Sequence, residues 1–152
     1  MPIRPATDAE AEEIALIINA AFEVEREFRT GARTSAAQVR ELMARETFLV
    51  AEQEGRLAGV VEVRAAAPIG YFGMLAVDPA ARRAGLGRAL VEAAEAHCRR
   101  AGCTAMTLST GEDRRELFPY YGAMGYEVVD VRESSSAAFN RPIRVVTMSK
   151  TL

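Results

Sequence analysis

The stretch YFGMLAVDPAARRAGLGRALVEAAEAHCRRAGCTAMTLS, residues 71–109, decides how this chain folds. Tyr71 to Val77 reads as a strand, and Asp78-Pro79 breaks it. From Arg88 to Arg100 the pattern turns helical, with Leu90, Ala93, Ala94, His97 and Ala101 as one stripe. Gly102 stops the helix, and Thr104 to Ser109 is a second strand. A crossover of that length lets the two strands run parallel, with a right-handed connection. The alanines on the stripe are small enough to bring the helix close to the sheet.

Between the first strand and the helix stand Gly85 and Gly87 among Arg82, Arg83 and Arg88. A helix N-terminus leaves several N–H groups without partners, and its dipole adds about half a positive charge. Glycines there remove side chains that would hold a ligand away from those groups. A pyrophosphate would satisfy this arrangement; a glycine-bearing loop with surface arginines would also explain it. The chain has no G-K-[ST] after the glycines and no third glycine of a dinucleotide fingerprint.

Working outward, Pro2 to Pro5 reads as a short strand and Thr7 to Glu10 as a capping box ahead of the helical run Ile14, Ile17, Ile18, Ala21 and Phe22. The segment EVEREFRTGAR, residues 23–33, loses the pattern and is expected to be a mobile connection. A second helix fits Ser35 to Arg45, with Val39, Leu42 and Met43 on one side. Strands follow at Thr47 to Glu52 and Leu57 to Ala65, joined by a hairpin turn at Glu54-Gly55. Beyond residue 109 come a short helix carrying Pro119, a strand from Tyr126 to Arg132, a serine-rich link and a last strand from Pro142 to Lys150. The order predicts a mixed sheet with helices on both faces and the parallel pair near its centre.

Bulk properties narrow the function. The 152 residues suit one domain spanning 1–152. A formal net charge of −2 gives no support to a nucleic-acid partner. No apolar run approaches the ~20 residues of a membrane span, and the acidic N-terminal stretch lacks a signal-peptide core, so a cytoplasmic location is expected. Cys98 and Cys103 have neither redox nor zinc spacing, and His97 is the single histidine, so no metal is expected. Reduced, buried thiols are the expectation for both cysteines.

Arg82-Arg83-Ala84-Gly85-Leu86-Gly87 matches the [QR]-x-x-G-x-[GA] signature and so resembles the GCN5-related N-acetyltransferase (GNAT) superfamily. MLAVDP, residues 74–79, is similar to that family's approach to the signature, and ELFPYYGAMGYEVV, residues 116–129, to its second motif. The resemblance covers most of the chain in element order. It implies a mostly antiparallel sheet of about seven strands whose central parallel pair splays apart to admit acetyl-coenzyme A. It places the pyrophosphate on the loop of Arg82, Arg83, Ala84, Gly85, Leu86, Gly87 and Arg88, and pairs the pantetheine with the backbone of Leu75, Ala76 and Val77. Tyr121 takes the place of the family's proton donor to the coenzyme sulfur. Arg114 stands where relatives often carry an asparagine, so it is a candidate phosphate contact or a solvated side chain.

Transfer of an acetyl group to an amine requires the amine to be neutral, although a free alkylamine (compare lysine, ~10.4) is protonated at neutral pH. The strand before the signature offers no carboxylate, and Glu62 is the nearest candidate base. Glu62 alternates with Arg64, which also fits a solvated charged face; a relay of ordered water is a further route. Glu23, Glu25 and Glu27 would suit a cationic amine if they face a cleft, but Arg29 and Arg33 offset them, so substrate polarity stays open. The resulting expectation is an acetyl-CoA-dependent N-acetyltransferase acting on a small-molecule amine or amino-acid derivative. A peptide N-terminus as acceptor and a coenzyme-binding sensor without catalysis are the alternatives. The final strand is a candidate to pair across a two-fold axis into a homodimer.

Overall fold

The computed structural model describes residues 2–81 and 85–152. The strands are β1 (Ile3–Pro5), β2 (Thr47–Gln53), β3 (Arg56–Arg64), β4 (Ile69–Val77), β5 (Ala105–Gly111), β6 (Glu127–Ser134) and β7 (Ile143–Thr151). The helices are α1 (Ala11–Ala21), α2 (Ala36–Met43), α3 (Leu86–Arg100) and α4 (Leu117–Gly122). All seven strands join one sheet in the order β1-β2-β3-β4-β5-β7-β6. The pair β4–β5 is parallel and the other neighbours are antiparallel.

Local chemistry accounts for the element ends. The Glu10 carboxylate accepts from the Thr7 amide at 2.9 Å, ahead of α1. Ser35 Oγ accepts from the Gln38 amide at 3.1 Å and caps α2. The β2–β3 turn puts both Glu54 and Gly55 at positive φ, 53° and 76°, which suits the right-handed twist of a two-residue hairpin.

Two cores flank the sheet. On one face α1 and α2 bury Ile14, Ile18 and Val39 against Phe48, Val60, Met74 and Ala76. On the other, α3 buries Leu90, Val91 and Ala94 against Val61, Phe72 and Met106. Phe72 and Met74 lie two apart on one strand yet enter opposite cores. The cause is a bulge. Val60 faces Ala76 and Glu62 faces Gly73, so Val61 alone opposes both Met74 and Leu75. Met74 takes φ 49°, and the alternation of side chains reverses there.

The same bulge governs the sheet's centre. The β4–β5 ladder covers Ile69, Gly70 and Tyr71 against Ala105, Met106 and Thr107. Both strands continue, to Val77 and to Gly111, without pairing each other. A bulge bends its strand and increases local twist, and here it falls just past the last paired residue. The parallel pair therefore opens like a fork towards its C-terminal end, as expected of the sheet.

Three expectations need correction. The segment 23–33 is not a loose connection: it makes a 3₁₀ turn at Glu23–Glu25, and it is tied to the β6–β7 link. The Thr30 amide donates to the Ala138 carbonyl at 2.8 Å, and the Asn140 amide donates to that of Phe28 at 2.9 Å. The buried stripe of α3 runs through Leu86, Leu90, Val91, Ala94, Glu95 and Cys98, so Cys98 rather than His97 faces the sheet. Glu95 enters that stripe because Tyr126 Oη donates to it at 2.7 Å and Lys150 Nζ pairs with it at 3.0 Å. Finally, β7 is paired on both sides, by β5 and β6, and has no free edge to offer across a two-fold axis. Among the described residues, no helix is long and apolar enough to cross a membrane.

Candidate active site

The fork between β4 and β5 leads into a cleft of about 1120 Å³. It is bounded by the start of α3 and α4 at one end and by the α1–α2 connection and the β6–β7 link at the other. Its two ends differ in chemistry.

At the α3 end, Gly85 is the N-cap residue with φ 91°, a conformation that strains residues with a Cβ. Among the described residues no side chain caps this helix, and its first internal bond runs from the Ala89 amide to the Gly85 carbonyl at 2.8 Å. The amides of Leu86, Gly87 and Arg88 thus lie before that bond, with the positive end of the dipole. Gly85 and Gly87 line the cleft, whereas the Leu86 side chain is buried in the core. A Cβ on Gly87 would collide with the Tyr120 hydroxyl, so this glycine also clears space for a tyrosine. Arg88 is exposed beside Glu92. Arg82, Arg83 and Ala84 lie outside the described residues.

Along the fork, Leu75, Ala76 and Val77 line the cleft. Ala76 and Val77 pair with Val60 and Gly59 of β3 on one side. Their other side faces the opening where β5 has parted. Tyr121 closes the middle. It is buried, edge-on to Phe72, Tyr120 and Tyr126 at centroid distances of 5.7, 5.1 and 6.3 Å. Burial pushes its phenol well above the ordinary value of 10, so it stays protonated at physiological pH.

At the far end, charge is organised around Glu25. Its Oε1 accepts from Arg29 Nη2 at 2.7 Å and Nε at 3.1 Å, and its Oε2 accepts from Arg114 Nη1 at 2.7 Å. Arg114 Nε also donates to Glu116 at 2.8 Å. Burial opposes the charge on Arg114, but the bonds to Glu116 and Glu25 outweigh it and leave its pKa raised. Arg114 therefore sits against the α1–α2 connection, with its donors turned to two carboxylates. Of the three glutamates of the 23–33 segment, only Glu25 is buried; Glu23 and Glu27 are exposed.

Glu62 is 1% exposed, so it belongs to no solvated face. Its Oε2 accepts from Arg64 Nε at 3.1 Å, and the Arg64 guanidinium lies 4.8 Å from the centre of the Tyr71 ring. Tyr71 reaches back over Gly73, where a Cβ would lie 2.9 Å from its hydroxyl. Burial, then the Glu62 charge, raise the Tyr71 phenol. Sequence reading passed over Tyr71; the glycine two residues on in the same strand was the available signal. It also passed over Arg33 as a cleft residue, because the 23–33 segment shows no periodicity from which to orient its side chains.

The geometry fits acetyl-CoA in three respects. It offers an uncapped helix N-terminus, an unpaired strand edge beside it, and a phenol between that edge and the far end. Among the described residues, no cluster of histidine, cysteine or carboxylate side chains could hold a metal ion.

Comparison with known proteins points the same way. Residues 12–126 match the model of the acetyltransferase (GNAT) family. None of the curated proteins matches the sequence. Among solved structures, a ribosomal-protein-alanine N-acetyltransferase from Brucella melitensis superposes with a TM-score of 0.82 at 20% identity, covering 100% of both chains. An acetyltransferase of the GNAT family from Streptococcus pneumoniae gives 0.75 at 19% identity, over 99% of this chain and 98% of its own. A phosphinothricin acetyltransferase from Sinorhizobium meliloti, in complex with acetyl-CoA, gives 0.77 at 19% identity, over 99% of this chain and 88% of its own.

Proposed function

We propose that this chain, which belongs to the acetyltransferase (GNAT) family, moves the acetyl group of acetyl-CoA directly onto the primary amine of a small molecule. The observation that carries the reading is the fork: β4 and β5 pair over three residues and then part, beside a helix start that no side chain caps among the described residues.

When bound, acetyl-CoA supplies an activated acetyl thioester. The amides of Leu86, Gly87 and Arg88, with the loop of Arg82, Arg83, Ala84 and Gly85, would hold its phosphates. The free edge of Leu75, Ala76 and Val77 would bind the pantetheine amides as an added strand does. Tyr121, kept protonated by burial, holds its proton at Oη for the departing sulfur. Arg114 is assigned to the acceptor end, because its guanidinium is engaged by Glu25 and Glu116.

The acceptor amine would enter between the α1–α2 connection and the β6–β7 link. Glu62 is a candidate to receive the amine proton through Tyr71 or water, since Tyr71 lines the cleft and Glu62 is buried behind it, bonded to Arg64. Holding the amine against the thioester supplies ~7–11 kcal/mol of the barrier reduction, and one acid–base group a factor of ~10²–10⁴. Positioning therefore outweighs the identity of the base.

The test is thiol release from acetyl-CoA against a panel of amines, with coenzyme binding measured separately by calorimetry. Acetylation of at least one amine supports the transferase. Coenzyme binding with no turnover on any amine refutes it and leaves a sensor.

A further inference from the structure

The acceptor end of the cleft is cationic in a way that its own carboxylates do not offset. Among the lining residues, Arg29, Arg33, Arg64, Arg114 and Arg132 stand against Glu25 and Glu116. Arg29 and Arg114 share Glu25, Arg114 also holds Glu116, and Arg64 is paired with Glu62 behind the wall. Arg33 has no carboxylate within ion-pair distance among the described residues, and its Nε is buried without a hydrogen-bond partner. Its guanidinium lies over the Phe22 ring, 5.2 Å from its centre.

The position is held from below. The amide of the next residue, Thr34, donates to Asn19 Oδ1 at 3.0 Å, and Asn19 Nδ2 returns a bond to the Thr34 carbonyl at 3.0 Å. Thr34 Oγ1 adds a bond to Gln38 at 2.8 Å. Side chains and backbone thus clamp Arg33 in the wall. Burial and the neighbouring Arg29 penalise its charge by more than the nearby Tyr71, Glu25 and Glu62 favour it, so its pKa is lowered. A buried polar group left unpartnered is costly unless something supplies the partner. A planar guanidinium with free donors matches an oxyanion.

We infer that the acceptor carries an oxyanion beside its primary amine, a carboxylate as in an amino acid, and that Arg33 binds it. This rests on the reading of the cleft as an acetyl-acceptor site. A tetrahedral phosphonate presents the same chemistry, and the assay separates the two.

The experiment compares amino acids with their own methyl esters and amides, aminoalkyl phosphonates, and short peptides with a free N-terminus. Initial rates are measured at saturating acetyl-CoA. One charge-assisted contact predicts roughly ten- to hundredfold higher kcat/KM for the acid than for its ester. R33M is expected to bring that ratio close to one, and R33K to leave an intermediate ratio. A preferred phosphonate assigns the tetrahedral oxyanion instead of the carboxylate and keeps the Arg33 site. Equal rates for acid and ester, or best rates on peptide N-termini, overturn the inference while leaving the transferase intact.

A second arm needs no turnover. Calorimetric binding of N-acetyl amino acids against their amides, to wild type and to R33M, reads the oxyanion site alone. Preference for the acids without any acetylation keeps the site and removes the transferase. No preference in wild type overturns the site.

Discussion

Replacing Glu25 by alanine is the sharpest test of how the acceptor end is held together. The carboxylate makes three charge-assisted bonds, two to Arg29 and one to Arg114. Its side chain is 5% exposed, and those of Arg29 and Arg114 are 14% and 15% exposed. Removing one partner of a fully buried pair costs ~3–5 kcal/mol, because the remaining charge is left without a counter-ion. Here the stranded guanidinium groups line a cleft that water enters, and Glu116 still holds Arg114. The loss should therefore fall at or below the lower end of that range, about 2–3 kcal/mol. For a domain of this size that is a drop in Tm of roughly 4–12 °C. Substitution by glutamine should do little better, since its NH₂ would point a donor at one of the two arginines. Kinetics give the second readout. Glu25 ties the 3₁₀ turn after α1 to the segment before α4, so E25A should raise the acceptor KM by far more than that of acetyl-CoA. Adding Arg114→Met removes one orphaned charge, and the double variant should lose less stability than the two single losses combined. A Tm within about 1 °C of wild type, or equal changes in both KM values, would refute the proposed role of Glu25.

Three further outcomes follow from the geometry. Tyr121→Phe should lower kcat by roughly 10²-fold with coenzyme affinity nearly unchanged; since burial raises this phenol, the wild-type rate should show no alkaline decline from Tyr121 below pH 10. Unchanged turnover at saturating substrate removes Tyr121 from the chemistry. Gly87→Ala should weaken coenzyme binding because the new methyl displaces the Tyr120 hydroxyl, and adding Tyr120→Phe should restore most of it; no rescue means that the methyl meets the coenzyme itself. Arg4 bonds Glu10 at 2.7 Å and holds its carboxyl down, from 4.5 to about 2. A depressed carboxylate stabilises the fold above its unfolded pKa and loses that contribution as pH falls from about 4.5 towards 2. The Tm difference between wild type and E10Q should therefore shrink over that interval, and a constant difference from pH 6 to pH 2 would contradict the assignment.

What could be read from the sequence divides along a physical line. The strand–helix–strand unit around α3 was legible because its turn residues and periodicity act locally: Asp78-Pro79 ends one element and Gly102 another. The parallel β4–β5 pair followed from the crossover rule and the β2–β3 pair from the Glu54-Gly55 hairpin, whereas the insertion of β7 between β5 and β6 was not read. Glu62 shows where reading fails. Alternation with Arg64 suits a solvated face, yet the residue is buried because Arg64 itself bends over Tyr71 to pair with it. The β4 bulge was equally hidden: no residue type announces it, and Met74 adopts a positive φ because Val60–Ala76 and Glu62–Gly73 pair on either side of it. The 23–33 segment seemed mobile because its order comes from the β6–β7 link, more than 100 residues away in sequence.

The two ends of the cleft also differ in what a substitution can change. On the proposed reading, the recognising groups at the α3 end are main-chain amides and a strand edge, present whatever the side chains are, provided Gly85 can take its positive φ and the bulge keeps the fork open. On the same reading, the recognising groups at the α1–α2 end are side chains on a segment that owes its course to Glu25 and to the link at Ala138–Asn140. A mutation there can alter the acceptor without touching the fork. A fold shared at about 20% identity is consistent with that division, since helix dipoles and unpaired amides survive sequence change that arginines do not. The acceptor must then be sought in Arg33 and its neighbours rather than in the sheet.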